Sequence, residues 1–279
     1  MLLRCWGTRG SIPVSGKEYL KYGGDTSCFE IETAGGDVVI LDAGTGIRRL
    51  GKRLAGEGRK KVTILFTHSH WDHLLGFPFF KPLYSPGTRI DVYGCKFAQQ
   101  SVKHILTKTM RPPFFPVKLE EVKAELYYSG ACDQPFSIGT LSILPVFINH
   151  PDRGVGFKFV ENGHSFILLT DNELNYRHPG GLEYEDYVSF CEGCDVLFHD
   201  AEYTEAEYQS TRSWGHSTFA DALSLALDAG AKQFGLIHHN QNRTDEELDE
   251  IVGTCLIMIR NKGSDLECFG VRTGMELSV

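Results

Sequence analysis

His68, His70, Asp72 and His73 form a His-x-His-x-Asp-His run that puts four metal-competent side chains within six residues. The segment feeding it, residues 62–66, is short, apolar and rich in β-branched side chains, which predicts a buried strand. The run therefore begins where a strand stops, and open α/β sheets place their ligand sites beyond the carboxyl ends of strands. Neutral imidazoles with a carboxylate suit zinc, and equally manganese or iron, and are too nitrogen-rich for calcium. Four donors so close along a chain cannot comfortably wrap one ion. The tight turn favours two neighbouring ions, with His68 and His70 on one and Asp72 and His73 on the other. Further ligands must then arrive from other strand ends, and that demand constrains the fold.

The rest of the sequence offers such ends. Strand-like runs occupy residues 2–6, 28–33, 38–41 and 90–93, and again 196–199, 234–237 and 266–271. Residues 137–146 read as one hairpin, and 156–161 with 165–170 as another turning at Asn162-Gly163. Amphipathic helices are expected after Gly46, over 96–110, 184–191 and 218–229, and around 245–262. Strands first, then strand–helix units, repeated twice, predict two sheets face to face with helices outside. The expected fold is an α/β four-layer αββα sandwich forming a single domain over residues 1–279.

Charge and cysteine usage limit the function. A net charge of −8 argues against a surface built for a long polyanion, whose phosphates need a cationic footprint. A small anionic substrate stays compatible, because bound divalent ions reverse the local sign. No apolar run is long enough to cross a bilayer, and residues 1–10 lack a signal-peptide core, so a cytoplasmic protein with reduced thiols is expected. Cys191 and Cys194 form a lone C-x-x-C without the two further ligands a structural zinc needs, and read as ordinary partly buried cysteines.

Three residues stand at the ends of apolar runs as candidate partners for the metal run: His150 after residues 141–147, Asp171 after 165–170, and His238 after 234–237. With THSHWDH, this set resembles the metallo-β-lactamase fold hydrolases over residues 2–271. The resemblance implies two divalent metal ions, zinc by default. His68, His70 and His150 would hold one, Asp72, His73 and His238 the other, and Asp171 would bridge them. His239 is the rival for the last position, and GAKQFGLIH favours His238 by register. Asp42, in LDAGTG, stands where the family carries an aspartate behind a ligand imidazole. A local turn before Gly44 is the competing role.

The resemblance narrows at His199-Asp200 and Gly215-His216-Ser217-Thr218, which look like two motifs of the phosphodiesterase branch containing tRNase Z and the cyclic-phosphate phosphodiesterases. GTRGSIPVSG and YGGDTSC resemble that branch's opening. It implies that Asp200, standing where the family often has Glu, orients His216 to protonate a leaving oxygen. Asp72, Asp200 and His216 are thus the expected catalytic residues, with a water activated between two ions as the nucleophile.

A flavodiiron redox site would carry a carboxylate at the position of His70. A lactam or thioester hydrolase would share the metals but leave Asp200 and His216 unexplained. A metal-bound sensor without catalysis would need no complete ligand set. A tRNase Z would carry a basic, glycine-rich arm, which is not found here. The expected substrates are small phosphodiesters or cyclic nucleotides, with no membrane or long nucleic acid as partner. Arg153 and Arg177 lie near ligand loops where they would grip a phosphate or simply be solvated. The stretch 112–117 would serve as a homodimer contact, a pocket lid or core packing.

Overall fold

The apolar runs become strands because each has two faces to bury. In Val38–Leu41, Val39 and Leu41 enter one apolar cluster while Val38 and Ile40 enter another, and all four are buried. The computed structural model describes residues 1–95, 101–130 and 134–279. Among them the first sheet holds β1 (Leu2–Gly7), β2 (Cys28–Glu32), β3 (Val38–Leu41), β4 (Lys61–Leu65), β5 (Arg89–Tyr93) and β6 (Glu125–Ser129). The second holds β7 (Phe136–Ile138), β8 (Leu141–Ile148), β9 (Gly154–Glu161), β10 (His164–Leu169), β11 (Val196–Asp200), β12 (Gln233–Ile237) and β13 (Glu267–Gly270). The chain then returns, and β14 (Glu276–Ser278) pairs with β1 at the edge of the first sheet.

The spatial orders are β14-β1-β2-β3-β4-β5-β6 and β13-β12-β11-β10-β9-β8-β7. Each sheet is antiparallel in one half and parallel in the other: β3 to β6 run parallel, as do β10 to β13. Leu3, Phe29, Ile31 and Leu65 from one sheet meet Phe157, Phe159, Phe166 and Phe198 from the other in a shared apolar layer. On the outer face of the first sheet lie α1 (Ile47–Gly56), α2 (Trp71–Leu74) and α3 (Val102–Thr109). The second sheet carries α4 (Tyr184–Cys191), α6 (Phe219–Asp228) and α7 (Asp245–Asn261) on its outer face, α5 (Glu205–Thr211) lying before α6. This is the expected four-layer αββα sandwich.

Most expected elements appear within a residue or two, and the hairpin at Asn162-Gly163 turns through positive φ at both residues. Unforeseen are α2, a short helix where the sequence suggested a tight turn, and β6, β14 and α5, whose residues are largely half-buried or exposed and so lack a strong apolar period. The helix expected from residue 96 begins outside the described residues, and its described part is α3. Cys132 also lies outside them. Cys191 and Cys194 are fully buried against α6 and the second sheet, where burial pushes both thiols up. No helix among the described residues is long and apolar enough to cross a membrane.

Two backbone contacts lock the sheets together beside the strand ends. The Val155 N–H donates to the Thr67 carbonyl at 2.9 Å, tying the end of β4 to β9. The segment after β1 brackets the end of β12, with His239 N–H on Thr8 O at 3.1 Å and Gly10 N–H on His239 O at 2.9 Å. Phe198 is the ring on which the shared layer converges, 5.9 Å from Phe29, 5.1 Å from Phe166 and 6.2 Å from Phe269. Phe198→Ala is expected to cost about 3–5 kcal/mol, read from the urea unfolding midpoint. A change under about 1 kcal/mol would show that the layer collapses around the gap.

Candidate metal centre

Every strand end named from the sequence delivers its residue to one place. His68 follows β4, His150 follows β8, Asp171 follows β10 and His238 follows β12, while His70 caps the start of α2, which carries Asp72 and His73. Asp42, Asp171 and His238 have φ of 59°, 51° and 57°, a left-handed backbone that non-glycine residues rarely adopt. Such strain costs about 1 kcal/mol or more per residue and collects at functional sites.

Three groups of donors result among the described residues, each with its ligand atoms mutually within 4.8 Å: His68, His70, His150 and Asp171; Asp72, His73, His238 and Asp171; and Asp200, Glu202, His216 and His238. Asp171 is common to the first two, and His238 to the last two. Its carboxylate lies 3.5 Å from His68 Nε2, 3.3 Å from His73 Nε2 and 3.3 Å from His238 Nε2, with His150 Nε2 at 4.0 Å. Asp72 Oδ2 sits 3.2 Å from His73 Nε2 and 3.1 Å from His238 Nε2, and accepts the Ser11 N–H at 3.0 Å. His70 Nδ1 is 2.9 Å from His150 Nε2.

The imidazoles are aimed from behind. His73 Nδ1 meets Asp42 at 2.7 Å, His150 Nδ1 the Gly215 carbonyl at 3.0 Å, His238 Nδ1 Glu202 at 2.9 Å, and His68 Nδ1 the Thr67 hydroxyl at 3.1 Å. With Nδ1 held, each Nε2 faces the centre. Asp42 is therefore the carboxylate behind His73, and it also accepts the Thr67 N–H at 2.8 Å. His239 faces elsewhere: its Nε2 bonds the Val271 carbonyl at 2.7 Å and its ring meets Tyr22 edge-on.

The donor chemistry fits two divalent ions. His68 Nε2 and His73 Nε2 are buried with no hydrogen-bond partner, though both are held toward Asp171. Asp42, Asp72, Asp171, Asp200 and Glu202 are all buried within this region. Their partners are imidazoles, hydroxyls, a side-chain amide and backbone N–H groups. Burial would lower the His73 and His238 pKa values, yet the carboxylates around them raise both well above the usual imidazole range. On the other side burial prevails and drives His150 down to about 3. Buried negative charge of this density calls for cations, and the neutral imidazoles opposite are competent to bind them.

His216 stands next to this cluster, its ring stacked on His238 at 4.6 Å between centroids. Its Nδ1 meets Asp200 Oδ2 at 2.8 Å, so the shorter Asp side chain still reaches. The ring keeps 11% of its side-chain surface exposed. Burial opposes its protonation, but Glu202 and Asp200 outweigh that and raise its pKa to about 9. Glu202, 3.5 Å from His216 and bonded to His238, was not singled out in the sequence, although Asp200-x-Glu202 past a strand end places both on one side.

Glu173 was also missed. Its buried carboxylate accepts the Tyr208 hydroxyl, the Ser213 N–H and the Gly215 N–H, each at 2.7 Å, and meets His178 Nε2 at 2.8 Å. It thereby pins the turn that presents His216 and the Gly215 carbonyl. Arg153 donates to Pro179 O at 3.1 Å, tying the β8–β9 turn to the loop before α4, and Arg177 pairs with Glu183 within that loop. Asp42→Asn removes a charge behind His73 and is expected to weaken zinc binding about 10–100-fold in chelator competition. Unchanged affinity would assign Asp42 to the turn alone.

A model of the β-lactamase superfamily domain matches residues 37–239. Ribonuclease Z of Ignicoccus hospitalis is 27% identical over 258 residues, covering 78% of this chain and 82% of that protein. Among solved structures, yeast PDE1 superposes with a TM-score of 0.72 at 13% identity, covering 100% of this chain and 99% of its own. A diphosphatase from the PhnP family gives 0.69 at 20% identity, covering 100% and 97%. The chain belongs to the β-lactamase superfamily and is a hydrolase of the metallo-β-lactamase fold.

Proposed function

We propose that this chain is a phosphodiesterase that holds two divalent metal ions, zinc by default, and hydrolyses small phosphodiesters, cyclic nucleotides among them. It would act in the cytoplasm as a single domain. The observation that carries the reading is the Asp200–His216 pair, bonded at 2.8 Å and stacked against His238 of the donor cluster. The two donor groups that share Asp171 are complete without this pair, whereas cleavage of a poor leaving group needs a positioned acid. The diphosphatase and PDE1 likenesses and the ribonuclease Z relatives agree with phosphoester chemistry.

In this reading His68, His70 and His150 hold one ion, Asp72, His73 and His238 the other, and Asp171 is shared. Ions so bound supply Lewis acidity, neutralising phosphate charge and acidifying water. The chain's own residues do the rest. Asp42, Glu202 and the Gly215 carbonyl fix the imidazole tautomers and directions. Asp200 accepts the Nδ1–H of His216, so the proton on Nε2 is the one offered. As the phosphorus–oxygen bond to the leaving group breaks, that proton passes to the departing oxygen, and His216 is left neutral.

The ribonuclease Z relatives favour RNA as a second substrate, and the net charge of −8 favours small ones. A panel decides: bis(p-nitrophenyl) phosphate, cyclic nucleotides, RNA, a thioester and a β-lactam, assayed with zinc or manganese. Turnover of the small phosphodiesters is expected. Cleavage of the thioester or lactam without them would sink the reading, and no turnover by fully metallated protein would leave a metal-bound sensor. His216→Ala should retain both metals and lose about 10²–10⁴-fold in kcat on alkyl leaving groups, and much less on p-nitrophenolate. Equal losses on both would remove His216 from the acid role.

A further inference from the structure

Three aromatic side chains lie open to solvent around one cavity: Trp71 is 64% exposed, Phe79 56% and Phe114 70%. Isolated exposed apolar residues are ordinary, but several gathered around one concavity mark a binding surface. The cavity measures about 480 Å³, within the span of small-molecule sites. Phe115 and Ile105 add to its wall, and Phe79 meets Phe115 edge to face at 5.6 Å. Phe114 and Phe115 belong to the proline-broken stretch whose role the sequence left open.

Its position ties the cavity to the metal centre. Ser69 and Trp71, the chain neighbours of His70, both line it. His70, between them in the chain, is the one residue in the two donor groups sharing Asp171 that is not buried. Walls made of flat rings select a flat guest, because aromatic pairs gain from offset and edge contacts that an alkyl chain cannot make.

We propose that this cavity takes a planar ring carried by one ester group of the substrate, making the natural phosphodiester an aryl or nucleoside ester rather than a purely alkyl one. The inference rests on the phosphodiesterase reading. Phosphate seated among His68, His70 and His150 would leave an attached ring free to extend past Ser69 and Trp71 onto Phe79 and Phe114.

Calorimetric titration of the zinc-loaded chain tests this with three phosphate monoesters: methyl phosphate, phenyl phosphate and thymidine 5′-phosphate. A ring-bearing probe is expected to bind at least about tenfold more tightly than methyl phosphate. Phe114→Ala and Phe79→Ala should each shrink that ratio several-fold, with zinc content checked in both. Thymidine 5′-phosphate ahead of phenyl phosphate marks a nucleobase as the guest, and equal binding marks any aryl ring. Equal affinity for ring-bearing and ring-free probes overturns the proposal while leaving the phosphodiesterase reading intact. If Phe114→Ala then weakens self-association in sedimentation instead, the face belongs to a second copy of the chain. Failure of all three phosphates to bind the metallated protein sinks both readings.

Discussion

Asp171 lies where the demands of both sheets meet. It leaves β10 in a left-handed conformation, accepts the Thr170 hydroxyl at 2.5 Å and draws imidazoles from β4, α2 and β12 within 3.5 Å. Two of those elements belong to the first half of the chain and two to the second. A carboxylate so placed repels its neighbours Asp72, Asp42 and Glu202 unless positive charge stands between them. The site is therefore a point of electrostatic tension that the β-sandwich holds together by packing. Phe198 and its partners behind the strand ends supply the apolar contact that keeps the two edges aligned.

Rigidity at the centre comes from the backs of the imidazoles. An imidazole on a strand end can rotate, and its two nitrogens are interchangeable until one is engaged. Asp42, Glu202, Thr67 and the Gly215 carbonyl engage Nδ1 in four of the five ligand-type histidines. Glycines make room for this. A Cβ on Gly10 would sit 2.3 Å from His238 Nδ1, and one on Gly215 would sit 2.0 Å from His150 Nδ1, at a φ of +96° that already suits glycine. The loops therefore approach the rings as closely as backbone can, which is how the Gly215 carbonyl comes to orient the His150 imidazole.

How much of this was legible in the sequence depends on periodicity. The His68–His73 run, His150, Asp171 and His238 each end an apolar stretch, and apolar stretches reveal themselves as strands, so their shared edge could be anticipated. Glu202 and Glu173 carry no such signal. Each looks like a surface carboxylate until the loop folds over it, because what buries Glu173 is a set of N–H and O–H donors some 35 to 42 residues away. Edge strands β6 and β14 were hidden for the opposite reason, having too little buried surface to impose a period. Asp42 shows the middle case: the sequence left a turn and a place behind an imidazole both open, and the parallel pairing of β3 with β4 accompanies its contact with His73.

The donor cluster and the aromatic cavity rest on different parts of the fold. The donors come from strand ends, whose positions the two sheets fix, so they tolerate little change. The aromatic cavity instead draws on α2, α3 and the stretch after α3, all on the outer layer of the first sheet, where side chains can vary without disturbing the core. His70 adjoins both: it occupies the N-cap position of α2, meets His150 at 2.9 Å and is half-buried, with Ser69 and Trp71 on either side of it in the chain. Changing these rings would leave the donor set in place. The likenesses at 20% and 13% identity show how far sequences can diverge on this one fold.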